Sequence, residues 1–254
     1  MHPEQCLSQK DNINALLKPL FKENVYSLKA NLFQFKNIKP NYIFNQFEGQ
    51  IDTGKMMTSL TQLVLHKGIK ILNNIHVEAF SEESNSVKIK TSEFEFSTSK
   101  LLIATNGFAS QLIKESVKPA RAQVLITKPI KNLHIKGTFH LDKGYYYFRN
   151  IDDRILLGGG RNLDFKGEET IELKQTERIQ NKLEDLLKTT ILSNTPFEID
   201  YRWSGIMGVG SRLLSGQKKV VVKQLSNHVF CGVRLGGMGV AIGSLVGKEL
   251  AGLV

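Results

Sequence analysis

A glycine-rich segment near the C-terminus, residues 229–247, constrains the fold of this chain more than any other feature. Its apolar start, Val229–Gly232, predicts a buried strand, and a helix is predicted from about Gly237 to Leu250. The turn between them is rich in glycine, a residue that permits positive φ and lets the backbone approach a flat ligand. The first N–H groups of a helix lack intrahelical partners and carry partial positive charge. The segment is therefore suited to hold an anionic oxygen at the start of the helix.

The same glycines have a second interpretation, which is packing. Small residues recur every four positions and form one smooth stripe along the predicted helix: Gly239, Gly243, Gly247 and Ala251. Such a stripe lets a helix lie close to another element. The pair Gly237 and Gly239 has no third glycine at the spacing of a dinucleotide fingerprint. From the residues alone, we cannot decide whether these glycines serve ligand binding or helix packing.

A second stretch of the same kind is Lys100–Thr105, a continuous apolar run that suits a strand covered on both faces. It leads directly into Asn106-Gly107 and a predicted helix, Phe108–Ile113. Strand, glycine and helix in this order form the ligand-facing turn of a doubly wound α/β sheet. The sequence therefore predicts a ligand-facing turn at this segment as well as at the C-terminal one.

The rest of the chain predicts a mixture of helices and short strands. Hydrophobic periodicity predicts further helices at Asn12–Phe21, Gly54–His66 and Glu168–Lys188. Short runs between turn residues predict strands: Tyr26–Lys36, Tyr42–Phe47, Ile69–Leu72, His76–Phe80, Val87–Thr91, Phe94–Ser97, Arg121–Thr127, Gly137–His140, Tyr145–Arg149, Arg154–Gly158, Glu198–Gly205 and Lys219–Lys223. The expected fold is α/β or α+β, with an incomplete doubly wound sheet beside an antiparallel sheet. We assign residues 1–50 and 108–205 to the antiparallel lobe and residues 51–107 and 206–254 to the doubly wound lobe.

Composition limits the class of protein. With 41% hydrophobic and 23% charged residues in 254, the chain is typical of a globular protein. Lys248 and Glu249 interrupt the longest apolar stretch, and the N-terminus does not resemble a signal peptide. Two cysteines, Cys6 and Cys231, are too few for a disulfide framework, and the six histidines show no metal spacing. We expect a cytoplasmic protein with no membrane span and no metal site.

The net charge of +10 favours an anionic partner, which can be a nucleic acid, a substrate or a cofactor. The lysines are spread along the chain, and neither a zinc-finger spacing nor an aromatic-rich RNA-binding sheet is present in the sequence. An anionic small molecule is therefore favoured over a nucleic acid.

Seven segments follow one another in an order that is informative as a whole: Ile51-Asp52 at the start of a helix, Lys100–Ala109, Pro119–Gln123, Tyr146–Phe148, Arg154–Gly160, Tyr201–Gly208 and the terminal strand, turn and helix. In this order they resemble the D-amino-acid-oxidase-like FAD-dependent oxidoreductases, the family that contains glycine oxidase and sarcosine oxidase. The resemblance covers roughly residues 45–254.

The resemblance implies an FAD-binding doubly wound lobe and an antiparallel substrate lobe. It implies that FAD is bound non-covalently, because the flavin-attaching cysteine of sarcosine oxidases has no counterpart here. The residues expected at FAD are Val77, Ala104, Thr105, Gly107, Gly236, Gly237, Met238, Gly239 and Val240. The implied substrate is a small amine or amino acid, which is oxidised at its C–N bond to an imine.

The sequence departs from the family pattern at two places. The family begins with a Gly-x-Gly-x-x-Gly turn that holds the ADP half of FAD, whereas the first fifty residues contain a single glycine, Gly49. We therefore expect an N-terminally truncated chain. Met207 stands where glycine-oxidase-like members place a carboxylate-binding arginine, and Arg212 and Ser215 replace the Asp and Pro that follow. Carboxylate binding by that route is not predicted.

Three residues are candidates for substrate binding. Arg234 lies at the mouth of the C-terminal turn and Arg161 follows three glycines at a strand end, so either guanidinium is placed to hold an anion bidentately. Tyr147 shares one side of its predicted strand with Tyr145 and is a candidate for the pocket wall. The alternatives are ion pairs for the arginines and core packing for the tyrosine. No residue is assigned a catalytic role.

The leading hypothesis is an FAD-dependent oxidoreductase that acts on C–N bonds. The first alternative is a non-catalytic remnant, or a subunit that needs a nucleotide-binding lobe from a partner chain. The second alternative is a basic RNA-associated protein of the tRNA-modification type, because relatives of this fold also occur there.

Overall fold

The computed structural model describes residues 3–210 and 220–254. Its α-helices are α1 (Pro3–Phe21), α2 (Thr53–His66), α3 (Glu177–Leu186) and α4 (Gly239–Ala251). Its strands are β1 (Tyr26–Ala30), β2 (Asn41–Asn45), β3 (Val77–Glu82), β4 (Val87–Thr91), β5 (Glu95–Thr98), β6 (Leu101–Ile103), β7 (Lys118–Thr127), β8 (Thr138–Leu141), β9 (Tyr146–Ile151), β10 (Arg154–Gly159), β11 (Ile199–Val209), β12 (Val221–Gln224) and β13 (Val229–Val233). In the described part of the chain, no helix is both long and apolar enough to cross a membrane.

The chain divides into two compact units, each assembled from separate stretches of sequence. Unit 1 comprises Met1–Asp52, Gln123–Leu163 and Lys174–Trp203. Unit 2 comprises Thr53–Ala122, Asp164–Leu173 and Ser204–Val254.

Unit 1 is built on a five-stranded sheet with the order β11-β7-β10-β9-β8. Leu125, Leu157 and Phe148 lie opposite one another on neighbouring antiparallel strands and are buried on the same face. Ile179 and Leu183 of α3, four positions apart and therefore on one side of the helix, pack into the same cluster. Burying side chains of this size contributes about 1.5–3 kcal/mol each.

The N-terminal part of unit 1 is attached to this core by hydrogen bonds and aromatic packing. The Asn14 side chain of α1 donates to the Tyr26 carbonyl and accepts from the Tyr26 N–H, both at 2.8 Å. Phe35, which follows β1, meets the Phe148 ring edge-on at 5.3 Å between centroids. The Phe139 ring stacks on Phe148 at 4.6 Å. The aromatic cluster thus connects the hairpin of β1 and β2 to the main sheet.

Unit 2 contains two three-stranded sheets, β12-β13-β6 and β3-β4-β5. The central strand β13 is antiparallel to β12 and parallel to β6, and all of its residues are buried. Val87 and Ile89 of β4 alternate with exposed residues and join Ile103 and Val233 in one hydrophobic cluster. This cluster is the core of unit 2.

Helices α2 and α4 of unit 2 differ in how they are packed. A Cβ added to Gly232 of β13 would lie 3.1 Å from the side chains of Val246 and Leu250, so the glycine allows α4 to approach the sheet closely. By contrast, α2 has no buried residue. Its apolar positions Leu60 and Leu63 are 45% and 51% exposed.

A buried ion pair fixes the segment 164–173 within unit 2. Arg121 of β7 donates to both carboxylate oxygens of Glu168, at 2.9 and 2.7 Å, and the two side chains are 4% and 1% exposed. Glu168 also accepts the Arg121 N–H on its backbone carbonyl at 2.8 Å. The bonds to Glu168 raise the pKa of the Arg121 guanidinium.

These contacts correct the predicted helix Glu168–Lys188, because α3 begins only at Glu177. The residues before Glu177 form no helix, and Ile171, which continues the apolar spacing of the predicted helix, is 38% exposed. At its other end α3 continues as a π-helical turn, Leu187–Ile191.

Four other predicted elements differ from the structure. The first helix begins at Pro3 instead of Asn12, and no strand forms at 69–72. The predicted strand 26–36 ends at Ala30, because the Asn31 side chain accepts from the Phe35 N–H and donates to its carbonyl, which closes a turn. The predicted helix Phe108–Ile113 is a 3-10 helix at Asn106–Gln111. The fold class, helices combined with antiparallel sheets and a parallel strand pair, is confirmed.

Candidate functional site

The two ligand-facing turns predicted from the sequence lie together at one edge of the sheet β12-β13-β6. Strands β6 and β13 run parallel, with Leu101 opposite Val229 and Ile103 opposite Cys231. Because parallel strands end at the same edge, the turn Ala104–Gly107 after β6 lies beside the turn Arg234–Met238 after β13. Burial in this sheet raises the pKa of the Cys231 thiol, which disfavours a reactive thiolate next to the turns.

The Asn106 side chain joins the two turns. Its Oδ1 accepts the backbone N–H of Leu235 at 3.0 Å, although the residues are 129 positions apart in sequence. The next N–H in the C-terminal turn, that of Gly236, donates to the Gly208 carbonyl at 2.8 Å. Three segments, at 106, 208 and 235–236, therefore meet at one point of unit 2.

Two glycines allow these segments to approach each other. A Cβ on Gly107 would lie 2.8 Å from the Ile206 side chain and from the Met207 carbonyl oxygen. A Cβ on Gly208 would lie 2.6 Å from Asn106 Oδ1. Since real Cβ atoms do not approach other atoms this closely, both positions require glycine for packing. Gly107 is buried, so its role here is contact between backbones.

The C-terminal turn has open space in front of it. Gly236 has φ +59°, and a Cβ placed on Gly236 or Gly237 would meet no atom within 4 Å. Met238 and Val240 are 59% and 56% exposed. The first N–H groups of α4 begin here, at Gly239, and carry the partial positive charge of a helix start. A flat ligand with electronegative oxygens fits this combination of open backbone and helix N-terminus.

The other residues that we predicted to line the first turn are accessible. Ala104 and Thr105 are exposed, and Thr105 is the residue before the 3-10 helix. Val77 lies elsewhere in unit 2, as the first residue of β3, where it is half-buried and packs against the hydrophobic cluster of β4, β6 and β13. The structure thus brings together the residues of both turns and places Val77 in a separate sheet.

Arg234 uses its side chain within unit 2. Its Nη1 donates to the Ser116 carbonyl at 3.1 Å, and its Cδ would lie 3.4 Å from a Cβ on Gly210. The backbone of Arg234 has φ +68°, a left-handed conformation that is uncommon for a residue with a side chain. The guanidinium therefore braces the turn against the neighbouring loop.

Tyr147 and Arg161 belong to unit 1. The Tyr147 ring covers Gly158 on the adjacent strand, where a Cβ would lie 2.6 Å from the tyrosine hydroxyl. Burial of this hydroxyl raises the pKa of Tyr147. The residue as a whole is 37% exposed. Arg161 is half-buried and is the first residue of a 3-10 turn that ends at Leu163.

Asn106 was not among the predicted site residues. Its contact with Leu235 depends on two distant segments, so no local pattern reveals it. One signal was present, because asparagine is enriched in the left-handed conformation that the turn after β6 requires, and Asn106 has φ +46°. Among the described residues, no group of three or more His, Cys, Asp or Glu is placed to hold a metal ion.

Solved structures of several oxidoreductases are similar to this chain. Glycine oxidase from Geobacillus kaustophilus superposes with a TM-score of 0.78 at 14% identity, covering 98% of this chain and 68% of that one. Iminodiacetate oxidase from Chelativorans sp. BNC1 gives 0.77 at 14% identity, covering 100% and 69%. L-proline dehydrogenase from P. horikoshii gives 0.76 at 19% identity, covering 98% and 68%. At these identities the likeness establishes the fold.

A search of curated protein sequences finds no match for this chain. The family model described as DAO, FAD dependent oxidoreductase, matches residues 27–253, which is nearly the whole chain. This match confirms the resemblance that the order of the seven segments indicated. The chain belongs to the DAO family of FAD-dependent oxidoreductases.

Proposed function

We propose that this protein oxidises a small amine or amino acid at its C–N bond, with non-covalently bound FAD at the two turns of unit 2. The observation that carries the proposal is the pairing of an open, left-handed glycine turn at the start of α4 with the turn after β6, held together through Asn106. The names of the similar structures support the substrate class, since glycine, iminodiacetate and proline all carry an amine on carbon.

The residues proposed to hold FAD act mainly through their backbones. Gly236 and Gly237 would allow the flat ring to approach, and the N–H groups at Gly239 and Val240 would be available to its electronegative edge. Ala104, Thr105 and Gly107 would form the second wall, Met238 would contribute an exposed side chain, and the Val77 backbone is proposed to contact the adenine. When bound, FAD supplies the chemistry by accepting a hydride from the carbon that bears the nitrogen.

Three residues are proposed for substrate binding, each considered within its own unit: Tyr147 and Arg161 of unit 1 and Arg234 of unit 2. A phenol presents both an apolar ring and a hydrogen-bonding group, which suits a small amine. The arginines provide donors for an anionic group, although Arg234 already donates to the Ser116 carbonyl. The side chain at 207 is a methionine and supplies no charge. A substrate whose binding does not depend on a cation at this position is therefore favoured.

The proposal is tested by titrating the purified chain with FAD and replacing Gly237 by valine. A Cβ on Gly237 would meet no atom within 4 Å, so the valine side chain begins in open space and extends into the region proposed for the flavin ring. Gly247→Val is the matched control, because a Cβ on Gly247 is equally open and this residue lies inside α4, ten positions further along the chain. Flavin absorbance and the quenching of flavin fluorescence report binding.

We expect the wild type and Gly247→Val to bind FAD and become reduced by an amine or amino acid without oxygen, whereas Gly237→Val loses at least about 10-fold in affinity. Equal affinity in all three chains would refute the assignment of the turn to FAD. A wild-type chain that binds no FAD would refute the proposed function for these 254 residues.

A second candidate is that the chain acts only together with a nucleotide-binding lobe that lies outside these 254 residues. Unit 2 favours it through uncovered apolar surface: α2 has no buried residue, and Leu102 of the edge strand β6 is 40% exposed. Positions Gly243 and Gly247 of α4 also have no atom within 4 Å of a Cβ. In this case the chain binds FAD only after a lobe containing a Gly-x-Gly-x-x-Gly turn is supplied. Gly247→Val then weakens FAD binding, as Gly237→Val does.

A further inference from the structure

Asn106 is the residue at which the three segments of the proposed cofactor site meet. We propose that Asn106 is a positioning residue, whose side chain holds the turn Arg234–Met238 in the conformation that leaves the start of α4 open. The inference deepens the proposed function, because it concerns the turn to which FAD is assigned. Asn106 acts on this turn through a backbone contact.

The conformation of the turn needs external support. Arg234 and Gly236, on either side of Leu235, have φ +68° and +59°. A left-handed arginine is strained and persists only where its surroundings determine it. Besides the bond from Arg234 Nη1 to the Ser116 carbonyl, those surroundings include two hydrogen bonds on successive N–H groups, from Leu235 to Asn106 Oδ1 at 3.0 Å and from Gly236 to the Gly208 carbonyl at 2.8 Å.

The geometry fixes the orientation of the Asn106 amide. Because the Leu235 N–H is a donor, the atom that faces it must be the amide oxygen. The left-handed backbone of Asn106, at φ +46°, directs the side chain from the end of β6 toward the other turn. Gly208 leaves room for it, since a Cβ there would lie 2.6 Å from the same oxygen.

Different substitutions of Asn106 test the acceptor oxygen and the left-handed backbone separately. Alanine removes the acceptor and also disfavours the left-handed backbone, and glycine removes only the acceptor. Aspartate retains an acceptor oxygen and a tolerance for the left-handed conformation. If Asn106 positions the turn through its oxygen, Asn106→Asp preserves the contact, whereas Asn106→Ala and Asn106→Gly both lose it.

The test is amide hydrogen exchange of Leu235 and Gly236, followed by NMR on the full chain without cofactor. We expect exchange of the Leu235 N–H to accelerate at least about 10-fold in Asn106→Ala and Asn106→Gly and to stay near the wild-type rate in Asn106→Asp. Asn132→Ala is the matched control, because Asn132 is an exposed asparagine with φ +58° in unit 1. It should leave Leu235 unaffected.

FAD titration of the same variants adds a readout that general destabilisation does not reproduce. Affinity should fall about 10-fold in Asn106→Ala and Asn106→Gly and recover in Asn106→Asp, which keeps the acceptor. Unchanged Leu235 exchange in the alanine and glycine variants, or exchange in Asn106→Asp as fast as in Asn106→Ala, would overturn the inference. A wild type that binds no FAD would refute the proposed function, while the exchange rates would still decide the role of Asn106.

Discussion

Helix α3 of unit 1 and helix α2 of unit 2 bury their apolar side chains to different extents. In unit 1, α3 packs on one face of the five-stranded sheet, and its apolar residues Ile179 and Leu183 are almost fully buried. In unit 2, β13 is buried along its whole length, but the apolar side chains of α2 remain between 45% and 55% exposed at Met57, Leu60, Leu63 and Leu65. Helix α3 therefore helps to close the core of unit 1, whereas α2 leaves its apolar face in unit 2 exposed.

The exposed apolar face of α2 bears on where unit 2 can bind a ligand or another polypeptide. Contiguous exposed apolar surface on a protein marks a site for a ligand or another polypeptide. In unit 2 such surface occurs on α2, at the edge strand β6 and next to the turn that begins α4. We expect the stability of unit 1 to depend on its buried hydrophobic cluster. That of unit 2 should depend on a few buried contacts, such as the Arg121–Glu168 ion pair. The following substitutions test this contrast.

The largest effect is expected for Phe148→Ala in unit 1. The Phe148 ring is 2% exposed and contacts Phe139 and Phe35, so its removal leaves a cavity that the rigid sheet fills poorly. We expect unit 1 to lose about 3–5 kcal/mol of unfolding free energy. Hydrogen exchange at increasing urea, read separately for peptides from each unit, measures it. A loss below about 1 kcal/mol would show that unit 1 is not organised around this cluster.

Phe96→Ala provides the control for the aromatic truncation. Phe96 lies on β5 of unit 2 and is 43% exposed, so its removal creates no closed cavity. The expected loss is under about 1 kcal/mol. The two alanine variants together test whether burial, and not the aromatic type, decides the cost.

The second-largest effect is expected for Arg121→Met, which breaks the buried Arg121–Glu168 ion pair of unit 2. Without the guanidinium, the Glu168 carboxylate stays in a position that is 1% exposed and loses the two hydrogen bonds donated by Arg121. Breaking a buried pair in this way costs several kcal/mol, and we expect about 3 because the segment 164–173 can shift and let the carboxylate reach water. Urea unfolding monitored by hydrogen exchange in the peptides of unit 2 measures the loss.

Lys118→Met is the matched control on the same strand. Lys118 pairs with Glu169, the neighbour of Glu168, but both side chains are about half exposed. An exposed ion pair contributes roughly 0–1 kcal/mol, so this variant should remain near the wild type. If Arg121→Met behaves like Lys118→Met, the ion pair does not anchor unit 2.

The Arg121–Glu168 ion pair also helps to explain which parts of the fold can be predicted from the sequence. Strand β4 coincides with its prediction at Val87–Thr91, because its buried and exposed residues alternate and its partners are adjacent in sequence. The helix predicted at 168–188 fails at its start, because Ile171 continues a helical spacing that the Arg121–Glu168 pair overrides. The pair joins residues 47 positions apart, and local periodicity carries no information about it.

The candidate site shows the same limit. Both turns were predicted from the order of strand, glycine and helix, which is a local property. The roles within them were not, because Gly107 and Gly208 are glycines for contact with distant backbone, and Asn106 serves a residue 129 positions away. The anion-binding role of Arg234 stays a prediction, and the sequence did not reveal that its Nη1 donates to the Ser116 carbonyl.

The smallest effect is expected for Leu60→Ala on α2. Leu60 is 45% exposed, and alanine is the best helix former, so the loss of contacts and the gain in helix propensity nearly cancel. We expect a change within about 0.5 kcal/mol, compared with a larger loss for Val64→Ala, whose side chain is half-buried on the same helix. Hydrogen exchange in the peptides of α2 measures both. A cost of about 2 kcal/mol for Leu60→Ala would mean that α2 is covered in solution, by a second copy or another polypeptide, and the contrast between the two units would then describe the isolated chain only.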